Sequence, residues 1–214
     1  MSYLLIAATI NEIKPFLASY RVQQKKLPLV DVLITGPGLM ATTYSLTRQL
    51  LIKPPSLVIQ AGIAGSFSEQ LPPGATVVVK QDRVADQGAI ENGRMHSLFD
   101  LGLLEKNKKP YSNGWLKNNS AILNKPGLEK VTAVSVNEIS TDPGKINLYR
   151  KQFKPLIETM EGAALHYVCL NEKIPFLQLR SVSNFVGERN KSNWKLKESI
   201  HNLNRELFRL LKTI

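Results

Sequence analysis

Short apolar runs alternate with longer amphipathic stretches along most of the chain. Tyr3 to Ala8 is an apolar run of strand length, and Asn11 to Ser19 follows it as a short helix. Val30 to Thr35 is a second strand-like run, closed by Gly36-Pro37-Gly38. Leu39 to Ile52 reads as a helix that stops at Pro54-Pro55. Leu57 to Ala61 is a third strand, expected to end in a turn at Gly62-Ile63-Ala64-Gly65, and Thr76 to Lys80 is a fourth after Pro72-Pro73-Gly74. Residues 82–130 carry Gly, Asn, Lys and Pro and predict loops and short elements. Val131 to Val136 is a strand, Glu161 to Leu170 a helix, Pro175 to Val182 a buried strand, and Lys195 to Lys212 a closing amphipathic helix. No internal repeat or low-complexity linker interrupts this order, which predicts a single three-layer α/β/α domain over residues 1–214.

Composition narrows the class. With 214 residues, 43% of them hydrophobic, the chain can fill one sizeable core. No apolar run approaches the ~20 residues of a membrane-spanning helix. The first residues lack a basic n-region and meet an acid at Glu12, so they read as a first strand rather than a signal peptide. The lone Cys169 leaves no partner for an intramolecular disulfide and favours a reducing compartment, most simply the cytoplasm. The net charge of +11 changes the picture less than its size suggests. Lys and Arg are spread through polar loops (Arg21 to Lys26, Lys106 to Lys109, Lys191 to Lys197) and the last helix, with no aromatic-interleaved stripe. A solvated basic surface that steers anionic small molecules is expected, with neither nucleic acid nor membrane as partner.

Four features carry candidate chemistry. Glu12 follows the first strand in Thr9-Ile10-Asn11-Glu12. It fits the third position of a capping box on Thr9, and equally a general base aimed at a ligand. These readings compete, because a side chain turned back onto its own backbone cannot also face a substrate. The two glycine turns let backbone approach a ligand closely, but neither fits GxGxxG or a P-loop, so no dinucleotide or ATP is indicated. Glu161, beside Met160 at a helix start, is favoured there by the helix dipole. It can also hold a sugar diol, with Met160 as a soft apolar contact. Arg180 lies inside a core strand, where an unpaired guanidinium is costly, so it is expected to serve a site, orienting Glu12 or a water. Ser183 has no evident His and Asp relay. His96 and His166 have no metal-ligand companions, and neither a metal nor a cofactor is expected.

Taken together, these residues resemble methylthioadenosine/adenosylhomocysteine nucleosidase and its relatives in the purine nucleosidase and phosphorylase superfamily. The matching positions are Glu12, Ala64-Gly65, Met160-Glu161 and Arg180-Ser181-Val182-Ser183-Asn184. A second set narrows the likeness to the futalosine hydrolases of menaquinone biosynthesis: Asp82 to Glu91, Ser97 to Leu103, Asn184 to Arg189, and Trp194. The resemblance implies a mixed, partly barrel-like sheet between helices, a nucleoside substrate and a homodimer. It implies that Glu12 activates water, that Arg180 orients that carboxylate or the water, and that Met160 and Glu161 hold ribose. Ala64, Gly65, Ser183 and Phe185 are then candidates for the sugar and base walls.

Position 184 departs from the nucleosidase pattern, which has Asp there. Adenine presents an N6 donor beside the N7 acceptor, which a protonated Asp matches. Hypoxanthine presents O6 and N7, both acceptors. The Asn184 amide can donate to O6 and accept from N7–H once that nitrogen is protonated. Asn184 therefore points to a 6-oxopurine, with the N7 proton delivered by a water or a neighbouring acid.

Overall fold

The computed structural model describes residues 2–214. The chain opens with β1 (Tyr3–Ala7), α1 (Ile10–Gln23), β2 (Val30–Ile34), α2 (Leu39–Ile52) and β3 (Leu57–Ser66). It continues through β4 (Thr76–Asp82), a hairpin of β5 (Gly88–Glu91) and β6 (Arg94–Ser97), β7 (Leu116–Lys117) and β8 (Lys130–Ser135). It closes with α3 (Pro143–Phe153), β9 (Ile157–Thr159), α4 (Gly162–Glu172), β10 (Phe176–Phe185) and α5 (Leu196–Leu211).

β1 is apolar throughout because both of its faces are covered, as in buried parallel strands. Leu5 and Ala7 pack with Ile13 and Phe16 of α1 and with Leu203 and Leu207 of α5. Leu4 and Ile6 pack on the other side with Leu46 and Leu50 of α2 and with Leu165 and Val168 of α4. The strands run in the order β2-β1-β3, all parallel. β3 then pairs in parallel with β10 along its length, β10 with β4, β4 with β8, and β8 with β9. β9 returns antiparallel to the end of β3, so five strands close on themselves. Ala64, Val77, Val79, Val131, Ala133, Ile157 and Val182 fill the interior of this closed part, each strand contributing. A barrel this small holds side chains rather than a channel.

The outer edge of β3 is forked. Leu57 to Gln60 pair with β1, and Gly65 and Ser66 pair with β9. Residues 61–64 have no strand on that edge. The stretch Gly62-Ile63-Ala64-Gly65, expected as a turn, is therefore strand, kept extended by β10 on its other edge. Two further elements went unread in the sequence. α3 is announced by Asp142, whose side chain accepts from Lys145 N (2.7 Å), with Pro143 at the first helical position. The β5–β6 hairpin turns at Asn92-Gly93, both at positive φ, the usual two-residue hairpin signal.

α1 contains Pro15, which cannot donate to the helix ladder. Beside it, Asn204 of α5 accepts from Phe16 N (2.9 Å) and donates to Glu12 O (2.8 Å). These are the two groups that an unbroken helix pairs with each other. Asn204 thereby ties the last helix to the backbone of Glu12. Asn204→Ala leaves both α1 groups short of a buried partner and is expected to cost about 1–3 kcal/mol. Thermal unfolding of the variant against wild type measures the loss.

Candidate active site

The unpaired backbone at the β3 fork is met by side chains. Glu12, at the third position of α1, accepts from Ile63 N with Oε1 (3.3 Å) and from Thr9 N with Oε2 (2.9 Å). Arg180 of β10 donates from Nη1 to Ile63 O (3.4 Å). The capping geometry and the inward orientation of Glu12 coexist, because each takes one carboxylate oxygen. Burial pushes this carboxyl above the usual range, with the Arg180 charge pulling the other way.

Arg180 is among the most buried side chains in the protein. It donates from Nη2 to Gln60 Oε1 (2.8 Å) and from Nη1 to Glu161 Oε2 (3.4 Å). It makes no hydrogen bond to Glu12, on which it acts by charge alone, and it does not line the cavity. Gly62 makes room for it: a Cβ there would lie 2.3 Å from Arg180 Nη1 and 3.0 Å from Glu12 Oε1.

Glu161 ends the β9–α4 turn with a non-helical backbone, and the helix starts at Gly162. Its carboxylate does not cap the helix. Oε1 accepts from Gly38 N (3.1 Å), so the Gly36-Pro37-Gly38 loop reaches the site through this hydrogen bond. Gly162 is required by space, since a Cβ would lie 2.1 Å from both Asp82 Oδ2 and Gln178 Nε2. Behind it Asp82 is fully buried, accepting from Arg83 N (2.7 Å) and Ser135 Oγ (3.0 Å), and burial pushes its carboxyl up to about 7. His166 is a packed core histidine, its Nδ1 2.9 Å from Leu116 O, and burial lowers its pKa to about 4.

β10 carries a bulge at Ser183, between Val182 (opposite Ala64) and Asn184 (opposite Gly65). Bulges re-aim side chains, and both residues line the cavity. Ser183 Oγ lies 2.7 Å from Asn184 Oδ1, and Asn184 Nδ2 donates to Phe185 O (2.8 Å), leaving its second N–H free. Phe185 itself is 38% exposed and does not line the cavity.

The cavity, about 160 Å³, brings Glu12, Ala64, Gly65, Met160, Glu161, Ser183 and Asn184 together. It adds residues the sequence did not single out for it, among them Ile139, Glu158 and Glu188, and Trp194 at one wall. Four glutamates line it and, among the described residues, no basic side chain does. Such a site favours positive charge developing on a bound molecule. Among the described residues no group of three or more His, Cys, Asp or Glu side chains is placed to hold a metal ion.

Residues 3–214 match the family model described as the phosphorylase superfamily. The chain belongs to the phosphorylase superfamily. Within the superfamily it is similar to the futalosine hydrolase of Streptomyces coelicolor, 29% identical over 69% of this chain and 62% of that protein. The match thus spans less than two thirds of the Streptomyces relative. It is also similar to the futalosine hydrolase of Thermus thermophilus, 27% identical over 83% of this chain and 79% of the relative. In fold it is similar to the 5'-methylthioadenosine/S-adenosylhomocysteine nucleosidase of Helicobacter pylori solved with butyl-thio-DADMe-Immucillin-A. That comparison has a TM-score of 0.82 at 18% identity, over 100% of this chain and 99% of that one.

Gly62→Ala is expected to push the Arg180 guanidinium away from the fork. The charge that lowers the Glu12 pKa then weakens, and Glu12 titrates at a higher pH than in wild type. Carboxyl-carbon NMR titration reads the shift; an unchanged Glu12 titration contradicts the arrangement.

Proposed function

We propose that this protein is an N-glycosyl hydrolase that cleaves futalosine to hypoxanthine and dehypoxanthine futalosine in menaquinone biosynthesis, the whole chain acting as one nucleosidase domain. The observation that carries the reading is a buried carboxylate, Glu12, turned into the same cavity as an amide, Asn184. The relatives named futalosine hydrolase support the choice of substrate. Glu12 takes a proton from water as it attacks C1′, the C1′–N9 bond breaks with its electron pair passing to the purine, and a water delivers the proton to N7. Glu161 and Met160 hold the ribose, and Asn184 meets the O6 and N7 edge of the departing base. Arg180 is a positioning residue that fixes Glu161 and biases Glu12 by its charge. The glutamate-rich lining stabilises oxocarbenium character on the sugar, strongest in the transition state. The same lining disfavours phosphate, which speaks against a phosphorylase. The cavity is below the ~300–1,000 Å³ usual for larger ligands, so the benzoate-bearing tail is assigned to the Trp194 wall. There Arg189 sits 5.9 Å over the indole and supplies a cation.

The outer face of α2 supports a homodimer. Met40, Tyr44, Leu51 and Ile52 are 68–86% exposed along it. An apolar patch of this kind marks an interaction surface. A cytoplasmic setting fits the free, buried Cys169, and among the described residues no helix is long and apolar enough to cross a membrane.

The test is to incubate the protein with futalosine, methylthioadenosine and inosine, each with and without phosphate, and to identify the free base. Hypoxanthine from futalosine without phosphate is expected. Adenine from methylthioadenosine with futalosine untouched contradicts the substrate, and a phosphate requirement contradicts hydrolysis. Glu12→Gln is expected to lower kcat about 10²–10⁴-fold. The base must be ionised, so the wild-type rate falls as pH drops through the Glu12 pKa. That acid limb is expected above the ordinary carboxylate value of 4.5, in the direction burial shifts it.

A further inference from the structure

The first turn of α4 is capped without its N-cap side chain. A helix start leaves its first N–H groups without intrahelical partners, and the N-cap side chain ordinarily accepts from the second or third of them. Glu161 holds the N-cap position, yet its two oxygens are turned to Gly38 N and Arg180 Nη1. The helix N–H groups are served from elsewhere. Gly162 N donates to Thr159 Oγ1 (3.3 Å), Ala163 N to Ser135 Oγ (2.8 Å) and Ala164 N to the main-chain carbonyl of Glu161 (3.1 Å).

The hydroxyls that accept are held in one direction. Ser135 of β8 lies beside Thr159 of β9, with their side-chain oxygens 2.9 Å apart. Ser135 Oγ also lies 3.0 Å from Oδ1 of Asp82, the last residue of β4. That carboxyl oxygen already accepts from Arg83 N (2.7 Å), so it meets Ser135 as an acceptor and takes its single proton. The two lone pairs of Ser135 then receive Ala163 N–H and the Thr159 hydroxyl, and Thr159 receives Gly162 N–H. Asp82 and Ser135 have no exposed surface, so solvent does not stand in for either. Asp82 fits beneath the helix start because Gly162 has no Cβ.

The chain of hydroxyls ends at the cavity. Thr159, Met160 and Glu161 line it, whereas Asp82 and Ser135 do not. Without the Ser135 oxygen, the acceptor open to Ala163 N is the N-cap carboxylate itself, turned back onto its own helix and away from a sugar. We propose that Ser135 and Asp82 are positioning residues that cap α4 in place of Glu161, leaving the Glu161 carboxylate free to hold the ribose. The proposal rests on the reading of Glu161 as the ribose-holding group and deepens it.

A double-mutant cycle tests it. Ser135→Ala is expected to raise KM for futalosine about 10-fold, the population shift that one capping bond can drive, with kcat changed far less. In a Glu161→Ala background the same substitution is expected to change kcat/KM by less than about 2-fold, since no carboxylate is left to misplace. Asp82→Ala removes the acceptor of the Ser135 proton and is expected to follow Ser135→Ala. Asp82→Asn keeps an accepting oxygen and is expected to recover most of that loss. Equal losses from Ser135→Ala in both backgrounds, a wild-type KM in Ser135→Ala, or an Asp82→Asn protein as impaired as Asp82→Ala overturns the capping role while leaving hypoxanthine release intact. A wild-type protein that releases no hypoxanthine, or a Glu161→Ala protein with wild-type KM, overturns the reading of the site and this proposal with it.

Discussion

A buried guanidinium must be paired, and the layout of this site follows from how Arg180 is paired. A charged group in the core without partners costs several kcal/mol. Arg180 is held by Gln60, by the carbonyl of Ile63 and by Glu161, which come from β3 and from the turn between β9 and α4. Those contacts draw the end of one strand, the start of one helix and the fork of β3 to a common point. Glu12 lies within reach of the same charge. Gly62 permits this approach, since a Cβ there would fall in the space the guanidinium occupies.

The fork gives a structural reason for a cavity at this place. A strand edge that changes partner, from β1 to β9, leaves a few backbone groups unserved. Buried backbone groups are almost always paired, and here the Glu12 carboxylate and Arg180 take Ile63 N and O. The side chains that satisfy the backbone also form the chemistry. Glu12 anchored at both oxygens is held in place before any ligand arrives, and Asn204 fixes its main chain from the last helix. A site so preorganised, lined by glutamates, suits a reaction in which a sugar becomes cationic as its base departs.

Much of this was legible in the sequence, for physical reasons that differ by element. The apolar runs of β1, β8 and β10 are covered on both faces, so they stand out. α2 and α5 carry clear helical spacing. β3 was cut short because Gly62 and Gly65 read as turn residues, whereas glycine there answers a need for space within a strand. α3 was missed although Asp142-Pro143 is a strong start signal, and β9 is too short for any periodicity. Glu12, Met160, Glu161, Ser183 and Asn184 were singled out by residue type and order, and the structure brings them around one cavity. Gln60 was not, because a polar residue inside a buried strand has no local signature. Its significance appears only when the fold sets its side chain against Arg180.

The central claim is that water, placed by Glu12, takes the position the base leaves. Cleavage of futalosine in water enriched in oxygen-18, followed by mass analysis of the sugar product, tests it most directly. The account predicts one heavy oxygen at C1 of the sugar, with release that needs no phosphate and that the Glu12→Gln protein catalyses about 10²–10⁴-fold more slowly. An unlabelled sugar-1-phosphate, or undiminished label incorporation by the Glu12→Gln protein, contradicts it.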